Sequence, residues 1–143
     1  MAAAESLAPA LLSGLCMIDA IFSSPNYQVA RQMMDATVLR HQAIAANIAN
    51  AETPGYKRVD VAANFAAQLA SALKRGGLEE VRTLQPHIVE DLAAKAVRPD
   101  GNNVEIEKEL MLLGRNSSEY NFLNQVVSGN LRSLRVAITG RNG

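Results

Sequence analysis

Few side chains in this 143-residue sequence have the chemistry of a catalytic or metal-binding site. The two histidines are His41, next to Arg40 on a predicted helix, and His87, which is followed closely by Glu90 and Asp91. Imidazole and carboxylate groups bind divalent metals, so the second group allows one enzyme hypothesis, a metal-dependent hydrolase. A metal requires more ligands than this spacing guarantees. We therefore predict no catalytic residue, no metal site and no cofactor.

Other signatures of enzymatic chemistry are missing from the sequence. No nucleophile elbow brings Ser, His and Asp together, and no glycine-rich loop has the spacing that cradles phosphate. Cys16 is the only cysteine, so an internal disulfide cannot form, and we interpret it as a small apolar residue. Glu105, Glu107 and Glu109 are interpreted as a solvated helix start whose charges complement the helix dipole. We expect a protein that is not an enzyme.

Composition points to a single helical domain. Hydrophobic residues make up 48% and charged residues 20% of the chain, which permits a packed core. Fourteen basic and 14 acidic residues give zero net charge, whereas sequence-independent nucleic-acid binding needs an excess of positive charge. No run of 18 apolar residues occurs, so we expect no membrane insertion. Aromatic residues are only 4%, which favours a core of Ala, Leu, Val, Ile and Met in closely packed helices.

A long N-terminal helix is predicted from Tyr27 to about Ala51. This stretch has no glycine or proline, Pro25 precedes it, and a Thr-Pro-Gly sequence ends it. Its apolar surface is broad, which indicates contact with more than one partner helix. The main apolar stripe consists of Met34, Val38, Ala45 and Ile48.

A second long helix is predicted from Val104 to Ile138. Asn102 or Asn103 can cap its start, and Asn102 with Glu105 resembles a capping box. Apolar residues then recur with the four-three spacing of a coiled coil over more than four heptads, and two polar positions interrupt them. We call this set the seam: Ile106, Leu110, Leu113, Ser117, Tyr120, Asn124, Val127, Leu131, Leu134 and Ile138.

The predicted fold is mainly α and elongated, because a compact domain of this size is too small to bury so long a seam. The N-terminal and C-terminal helices are expected to pack as a coiled-coil-like pair, with a short irregular middle segment between them. We divide the chain into a loose extension (1–16), the first helix with its turn (17–56), a variable middle (57–100) and the second helix (101–143).

The sequence patterns are weaker in the middle segment and in the first 22 residues. Within the middle, Ala62 to Leu73 is predicted as a short helix, Glu79 to Leu84 as an extended segment, and residues 86–99 are left unassigned. The first 22 residues are largely apolar but contain no Lys or Arg, so we expect no cleaved secretory signal peptide. Met17 begins a fresh segment and is a possible alternative start.

One motif, residues 45–56, has an unusual combination of asparagines and turn residues. Pro54 disfavours helix at the residue before it, and Pro54-Gly55 fits the central positions of a type II turn. Asn47 and Asn50 lie three residues apart on one helix face, where their amides can bond carbonyls at the helix end or a neighbouring chain. The residues alone leave open whether this is a helix stop or an interaction site.

These residues resemble a known signature. Residues 45–56 are similar to the ANNIANxxTPGY motif near the amino terminus of flagellar rod and hook proteins, with Ala46 in place of the first asparagine of the usual pair. Residues 102–109 and 131–138 resemble the carboxy-terminal block of the same group. The resemblance covers about residues 17–75 and 98–139.

The resemblance implies a structural subunit of the proximal rod in the bacterial flagellar basal body. Its implied partners are other rod subunits, further copies of itself, and the junction of the motor ring with the export gate. It also implies a periplasmic location reached through type III export. The expected assembly interface comprises Asn47, Asn50, Thr53, Pro54, Gly55, Tyr56, Asn102, Asn103, Val104, Ile106, Leu110, Leu113, Tyr120, Val127, Leu131, Leu134 and Ile138. A small coiled-coil adaptor or regulator is the alternative, since it would share the heptads without needing the turn motif.

Overall fold

The computed structural model describes residues 24–95 and 98–139. Two long helices dominate it, and two short strands and two short helices lie between them in the chain. In chain order the elements are α1 (Pro25–Ala49), β1 (Val59–Val61), α2 (Phe65–Lys74), α3 (Leu78–Thr83), β2 (Ile88–Glu90) and α4 (Ile106–Thr139). The prediction of a mainly helical chain with two long terminal helices packed together is confirmed.

Local signals fix both ends of α1. Ser24 caps the start, because its Oγ accepts a hydrogen bond from the Tyr27 backbone N–H at 3.4 Å, and Pro25 occupies the first helical position. At the other end, the Asn50 side-chain amide donates to the Ala46 carbonyl at 2.8 Å. The 25 residues between these caps span roughly 38 Å.

Helix α4 runs antiparallel to α1 and is the longest element. Its 34 residues span roughly 51 Å. The Asn116 side-chain amide donates to the Thr37 carbonyl, and Asn47 near the end of α1 bonds Glu109 near the start of α4. Leu123 is the last buried side chain along α4 among those described. The remaining 16 residues of the helix therefore extend beyond its buried contact with α1.

A small apolar core lies on another side of α1. Phe65, Leu69 and Ala72 of α2 meet Val61 of β1 and Val81 of α3. Apolar residues of α1 and the end of α3 pack against this cluster: Val29, Ala36, Leu39 and Leu84. Strands β1 and β2 pair antiparallel, with Asp60 opposite Val89, and both contact α1.

The structure corrects three local predictions. Residues 79–84 are not extended; most of them belong to α3, since the alternation of apolar and polar residues there covers only one helical turn. The unassigned segment contains β2, which could not be recognised locally because its partner strand lies about 30 residues away. In α1 the buried side chains include Ala30, Thr37, Ile44 and Asn47, whereas Val38 and Ala45 of the predicted stripe are exposed.

Some predictions fall elsewhere in the chain. The loose extension at residues 1–16 and the alternative start at Met17 lie outside the described residues. Within residues 24–95 and 98–139, no helix is both long enough and apolar enough to cross a membrane.

Candidate assembly interface and the polar contacts that support it

The motif after α1 forms the predicted turn. Gly55 has φ +72°, and the Tyr56 backbone N–H donates to the Thr53 carbonyl at 3.3 Å, as in a type II turn with Pro54 and Gly55 at its centre. Thr53, Pro54 and Gly55 are exposed. The turn is therefore accessible and has a defined backbone conformation.

Asn102, in the segment before α4, holds this turn through hydrogen bonds. Its buried side-chain amide donates to the carbonyls of Asn50, Ala51 and Thr53 at 3.0, 3.1 and 2.8 Å. Its Oδ1 accepts from the Val104 N–H at 2.8 Å. The predicted capping box is therefore wrong, since α4 begins only at Ile106 and the Asn102 amide satisfies the carbonyls that follow α1 instead.

The Asn103 side chain also bonds backbone groups of other segments. Its Oδ1 accepts from the Arg58 backbone N–H at 2.6 Å, and its amide donates to the Ala94 carbonyl at 3.1 Å. Nearby, Lys57 Nζ donates to the Gly101 carbonyl at 2.8 Å. The consecutive asparagines thus join the segment before α4 to the turn and to the middle of the chain.

A buried arginine links the strands to α4. The Arg58 guanidinium donates to Glu109 Oε1 at 2.7 Å, to Asp91 Oδ2 at 2.6 Å and to Asp60 Oδ2 at 3.0 Å. Only 6% of the Arg58 side chain is exposed, and the Glu109 side chain is fully buried. The interpretation of Glu109 as a solvated residue is therefore wrong. We call Asn47, Arg58, Asp60, Asp91 and Glu109 the polar cluster.

Asn47 connects this cluster to the end of α1. Its amide donates to the Val59 carbonyl at 2.8 Å and to Glu109 Oε2 at 3.1 Å. Its Oδ1 accepts from the Val59 N–H at 2.9 Å and from the Tyr56 hydroxyl at 3.4 Å. Both ends of the amide are used within the chain, which explains why an asparagine rather than an aspartate or leucine fits here.

The pKa values of Arg58, in the polar cluster, and of Tyr56, beside it, are raised in the fold. Burial lowers the pKa of Arg58, but its hydrogen bonds to Glu109 and Asp60 and the charges of these carboxylates outweigh that effect and raise the pKa above its ordinary value. Partial burial, and secondarily the charge of Glu109, raises the pKa of Tyr56 above 10. Arg58 is thus a permanent cation, and the neutral form of Tyr56 is favoured in the fold.

The seam lies largely on the surface of the chain. Leu110 is 54% exposed, and Ile106, Tyr120 and Leu131 are each about 40% exposed, while Leu113 and Val127 are half-buried. The side chains of Leu134 and Ile138 lie outside the described residues. The helix pair instead buries a neighbouring row of α4, made of Glu109, Asn116 and Leu123. The seam is therefore available to other molecules, and its role in assembly stays a prediction.

The residues of the expected interface thus fall into two groups. Asn47, Asn102, Asn103 and Val104 are buried within the chain, so any contribution they make to assembly passes through the turn and the helix pair that they hold. The second group is accessible or partly accessible, and it comprises Asn50, Thr53, Pro54, Gly55, Tyr56 and the described residues of the seam.

Sequence reasoning missed Arg58, Asp60 and the structural use of Asp91. One signal was present: Glu109, Asn116 and Leu123 repeat at intervals of seven residues, immediately beside the seam. The choice of Arg58 as the partner for Glu109 had no local signal, because the two residues are 51 positions apart.

The metal hypothesis gains no support from the part of the chain that the structure describes. There, no group of three His, Cys, Asp or Glu side chains is arranged to hold a metal ion. Of the three residues in question, Asp91 is bound to Arg58, and His87 and Glu90 are exposed around β2.

Comparison with models of known protein families indicates the class of protein to which this chain is similar. The model of a family described as "Flagella basal body rod protein" matches residues 29–57, which include most of α1 and the whole turn. The matched segment thus includes the turn in which Gly55 has a positive φ.

Relatives over most of the chain give the particular family. Flagellar basal body rod protein FlgB of Aeromonas hydrophila is 32% identical over 110 residues, covering 67% of this chain and 82% of the relative. The FlgB proteins of Escherichia coli K12 and Bacillus subtilis 168 are 26% and 29% identical, over 88% and 71% of this chain and 100% and 84% of the relatives. This chain belongs to the FlgB family of flagellar basal body rod proteins.

Proposed function

We propose that this chain is a structural subunit of the proximal rod of the flagellar basal body, part of the shaft that carries torque. The observation that carries the proposal is the exposure of several described seam residues on α4. The apolar side chains of Leu110 and Leu131 are exposed, while the buried side chains of α4 that meet α1 include the polar Glu109 and Asn116. A subunit whose apolar surface is kept for its neighbours is suited to assembly.

The physical basis is burial of the seam between subunits. Burial contributes about 25 cal/mol for each Å² of apolar surface removed from water, against which the loss of translational and rotational freedom must be set. A neighbour that contacts the seam with a different surface of its own makes a heterologous contact. Such contacts produce open helical assemblies when the rotation between subunits does not close.

The exposed turn is the second proposed contact. Thr53, Pro54 and Gly55 are exposed, and the Asn102 amide holds the Thr53 carbonyl within the single chain. A preformed turn reduces the entropy lost when it docks on a neighbour. A coiled-coil regulator has no need of such a turn.

The substitution Leu131→Asp tests the seam. It places a charge at a seam position that is 43% exposed in the single chain, so folding is expected to continue while burial against a neighbour becomes unfavourable. We expect the protein to be exported but absent from purified basal bodies, and the cells not to swim. Ser133→Asp adds the same charge to an exposed position of α4 outside the seam and serves as the matched control. Normal swimming with Leu131→Asp contradicts the proposal.

The same proposal includes three statements about where the chain is located and how it gets there. They are contact with the junction of motor ring and export gate, a periplasmic site, and export without a cleaved signal peptide. Site-specific crosslinking from the exposed Thr53 in intact cells, followed by mass spectrometry of the crosslinked partner and of the chain's own terminus, tests all three. Crosslinks only to cytoplasmic proteins count against them.

A further inference from the structure

We propose that in the assembled rod the seam of one copy of this chain docks in an apolar trough on the opposite side of the next copy. This inference rests on the proposed function and deepens it, because it names the surface that a neighbour presents to the seam. The contact is one between copies that are already in the rod.

The trough lies beside the small apolar core, between α1 and α2. Its volume is about 280 Å³, and Glu119 of α4 borders it on a third side. Met33 and Leu73 are 37% and 42% exposed, so large apolar side chains there stay in contact with water in the single chain. We call the following apolar residues the trough: Val29, Met33, Ala36, Ala66, Ala70 and Leu73.

The trough and the seam lie on opposite sides of α4. Phe122 follows Glu119 by three residues, so it lies on the side of α4 that borders the trough, and it is 64% exposed. Phe122 is nine residues from both Leu113 and Leu131 of the seam, which is about two and a half turns and thus half a rotation about the helix axis. Each copy therefore carries two apolar surfaces that face in opposite directions, and the described residues leave both partly exposed.

The chemistry of the trough suits an apolar partner. Its polar side chains already have partners within the chain: Thr37 Oγ1 donates to the Met34 carbonyl at 2.8 Å. Arg40 pairs with Asp60 at 3.3 Å and more loosely with Glu119 at 3.9 Å. A polar ligand would find no convergent set of free polar groups among these side chains, whereas an apolar surface would bury Met33 and Leu73.

The shapes of the trough and the seam are complementary. Three of the trough residues are alanines, and they lie among larger side chains such as Met33 and Leu73, which leaves a depression between α1 and α2. The seam is a ridge of large side chains, of which Leu110 and Tyr120 are 54% and 38% exposed. Helices pack with the side-chain ridges of one in the grooves of another. A seam docked in the trough therefore buries large apolar side chains of both copies.

A second copy is the occupant that fits these two surfaces, because every copy supplies both of them. The contact joins two different patches, so the trough of one copy and the seam of the other are still free for further copies. Such a heterologous contact repeats, whereas a contact between two seams would be two-fold and would close after two copies. Repetition of one contact is what growth of a rod needs.

Crosslinking in purified basal bodies tests the contact. In a Cys16→Ser background, Met33→Cys marks the trough, and separate variants with Leu110→Cys, Tyr120→Cys or Leu131→Cys mark the seam. These seam sites lie roughly 15–17 Å apart along α4, so in any register one of them comes within roughly 8 Å of Met33 along the helix axis. Basal bodies from cells that make the trough variant together with one seam variant are treated with a bismaleimide. We expect a crosslinked pair for at least one seam site.

Two controls accompany this experiment. Each variant made alone should give no crosslinked pair, because a contact between seam and trough joins two different sites. Ser118→Cys with Met33→Cys should also give none, since Ser118 is exposed and lies nine residues from Val127, half a rotation away from the seam. Crosslinks within a single seam variant indicate a two-fold contact and overturn the proposal. Crosslinks from the seam only to a different rod protein overturn it too, as does the absence of crosslinks in basal bodies that contain both variants.

A charge placed in the trough gives an independent test. Leu73 is 42% exposed, so Leu73→Lys leaves the new charge in water in the single chain but places it beneath the seam in the contact. We expect normal export and an about tenfold lower amount of this variant in purified basal bodies. Gln68→Lys adds the same charge at an exposed position of α2 outside the trough and should be incorporated normally. Normal incorporation of Leu73→Lys overturns the proposal.

These results separate the two proposals. If basal bodies contain the chain and exclude Leu131→Asp, but no seam site crosslinks to the trough, only the docking of seam in trough fails. If cells swim normally without the chain in their basal bodies, the proposed function fails.

Discussion

Replacement of Arg58 by methionine tests whether the polar cluster holds the helix pair together. The guanidinium contacts three carboxylates, and one of them, Glu109, is fully buried. Asp60 and Asp91 retain about a quarter of their side-chain exposure, so water can replace the arginine there. Glu109 keeps only the amide of Asn47, so an uncompensated charge stays buried.

Removal of one partner of a buried ion pair costs about 3–5 kcal/mol, a large share of the roughly 5–15 kcal/mol by which domains are stable. Arg40→Met is the matched control. Arg40 also pairs with Asp60, at 3.3 Å, but its side chain is 37% exposed, and such pairs contribute at most about 1 kcal/mol. If Arg40→Met costs the full amount of about 1 kcal/mol, the expected difference between the two variants is about 2–4 kcal/mol.

Urea unfolding followed by far-ultraviolet circular dichroism measures this difference. With a slope of about 2 kcal/mol per molar urea, Arg58→Met is expected to unfold about 1–2 M earlier than Arg40→Met. Arg58→Met combined with Glu109→Leu removes the uncompensated charge and should recover most of the loss. The reasoning is refuted if the two single variants unfold within about 0.3 M of each other, or if the double variant is less stable than Arg58→Met.

Three further substitutions address the turn. Asn102→Ala removes the amide that donates to three carbonyls, of which those of Asn50 and Ala51 keep another donor. It is expected to cost about 1–3 kcal/mol in the same unfolding assay, with a loss below about 0.5 kcal/mol as the contrary result. Gly55→Ala should cost about 1 kcal/mol because φ is +72°, whereas Gly114→Ala, in an open position of α4, should stabilise by about the same amount; equal effects would contradict this reading. Because the pKa of Tyr56 is raised in the fold, the unfolded chain loses the Tyr56 proton at a lower pH than the folded chain does. The contribution of Tyr56 to stability is therefore fully present below about pH 10 and is lost as pH rises through the pKa of the folded state. Tyr56→Phe should reduce that alkaline loss in urea midpoints taken from about pH 9 to about pH 11, and an unchanged slope would exclude Tyr56 as its source.

The long helices and the turn could be predicted because their signals are local. Proline and glycine bound α1, and a helix-forming composition fills it, so its limits were predicted to within two residues. The positive φ of Gly55 follows from the Pro-Gly pair alone. Such features depend on residues within a few positions of one another.

The orientation of the helices could not be predicted in the same way. A four-three repeat shows that one side of α4 is apolar, but it does not tell whether that side meets α1 or another molecule. The buried row beside it contains Glu109 and Asn116, which are ordinarily surface residues. Burial of these residues depends on Arg58 and Thr37, which are distant in sequence. The pairing of β1 with β2 was missed for the same reason.

The buried side chains of this chain include several polar and charged groups beside the apolar core. Amides and a buried ion cluster supply the hydrogen bonds between α1 and α4, while Met111 and Phe122 of α4 are 74% and 64% exposed. Directional hydrogen bonds fix the geometry of the pair but add little net stability, whereas apolar burial is the strong, non-directional term. Burial of such exposed apolar side chains by neighbours adds to the stability that the chain has alone. In the proposed rod, the exposed side chains of α4 therefore supply association energy, while the polar contacts fix the geometry of each subunit.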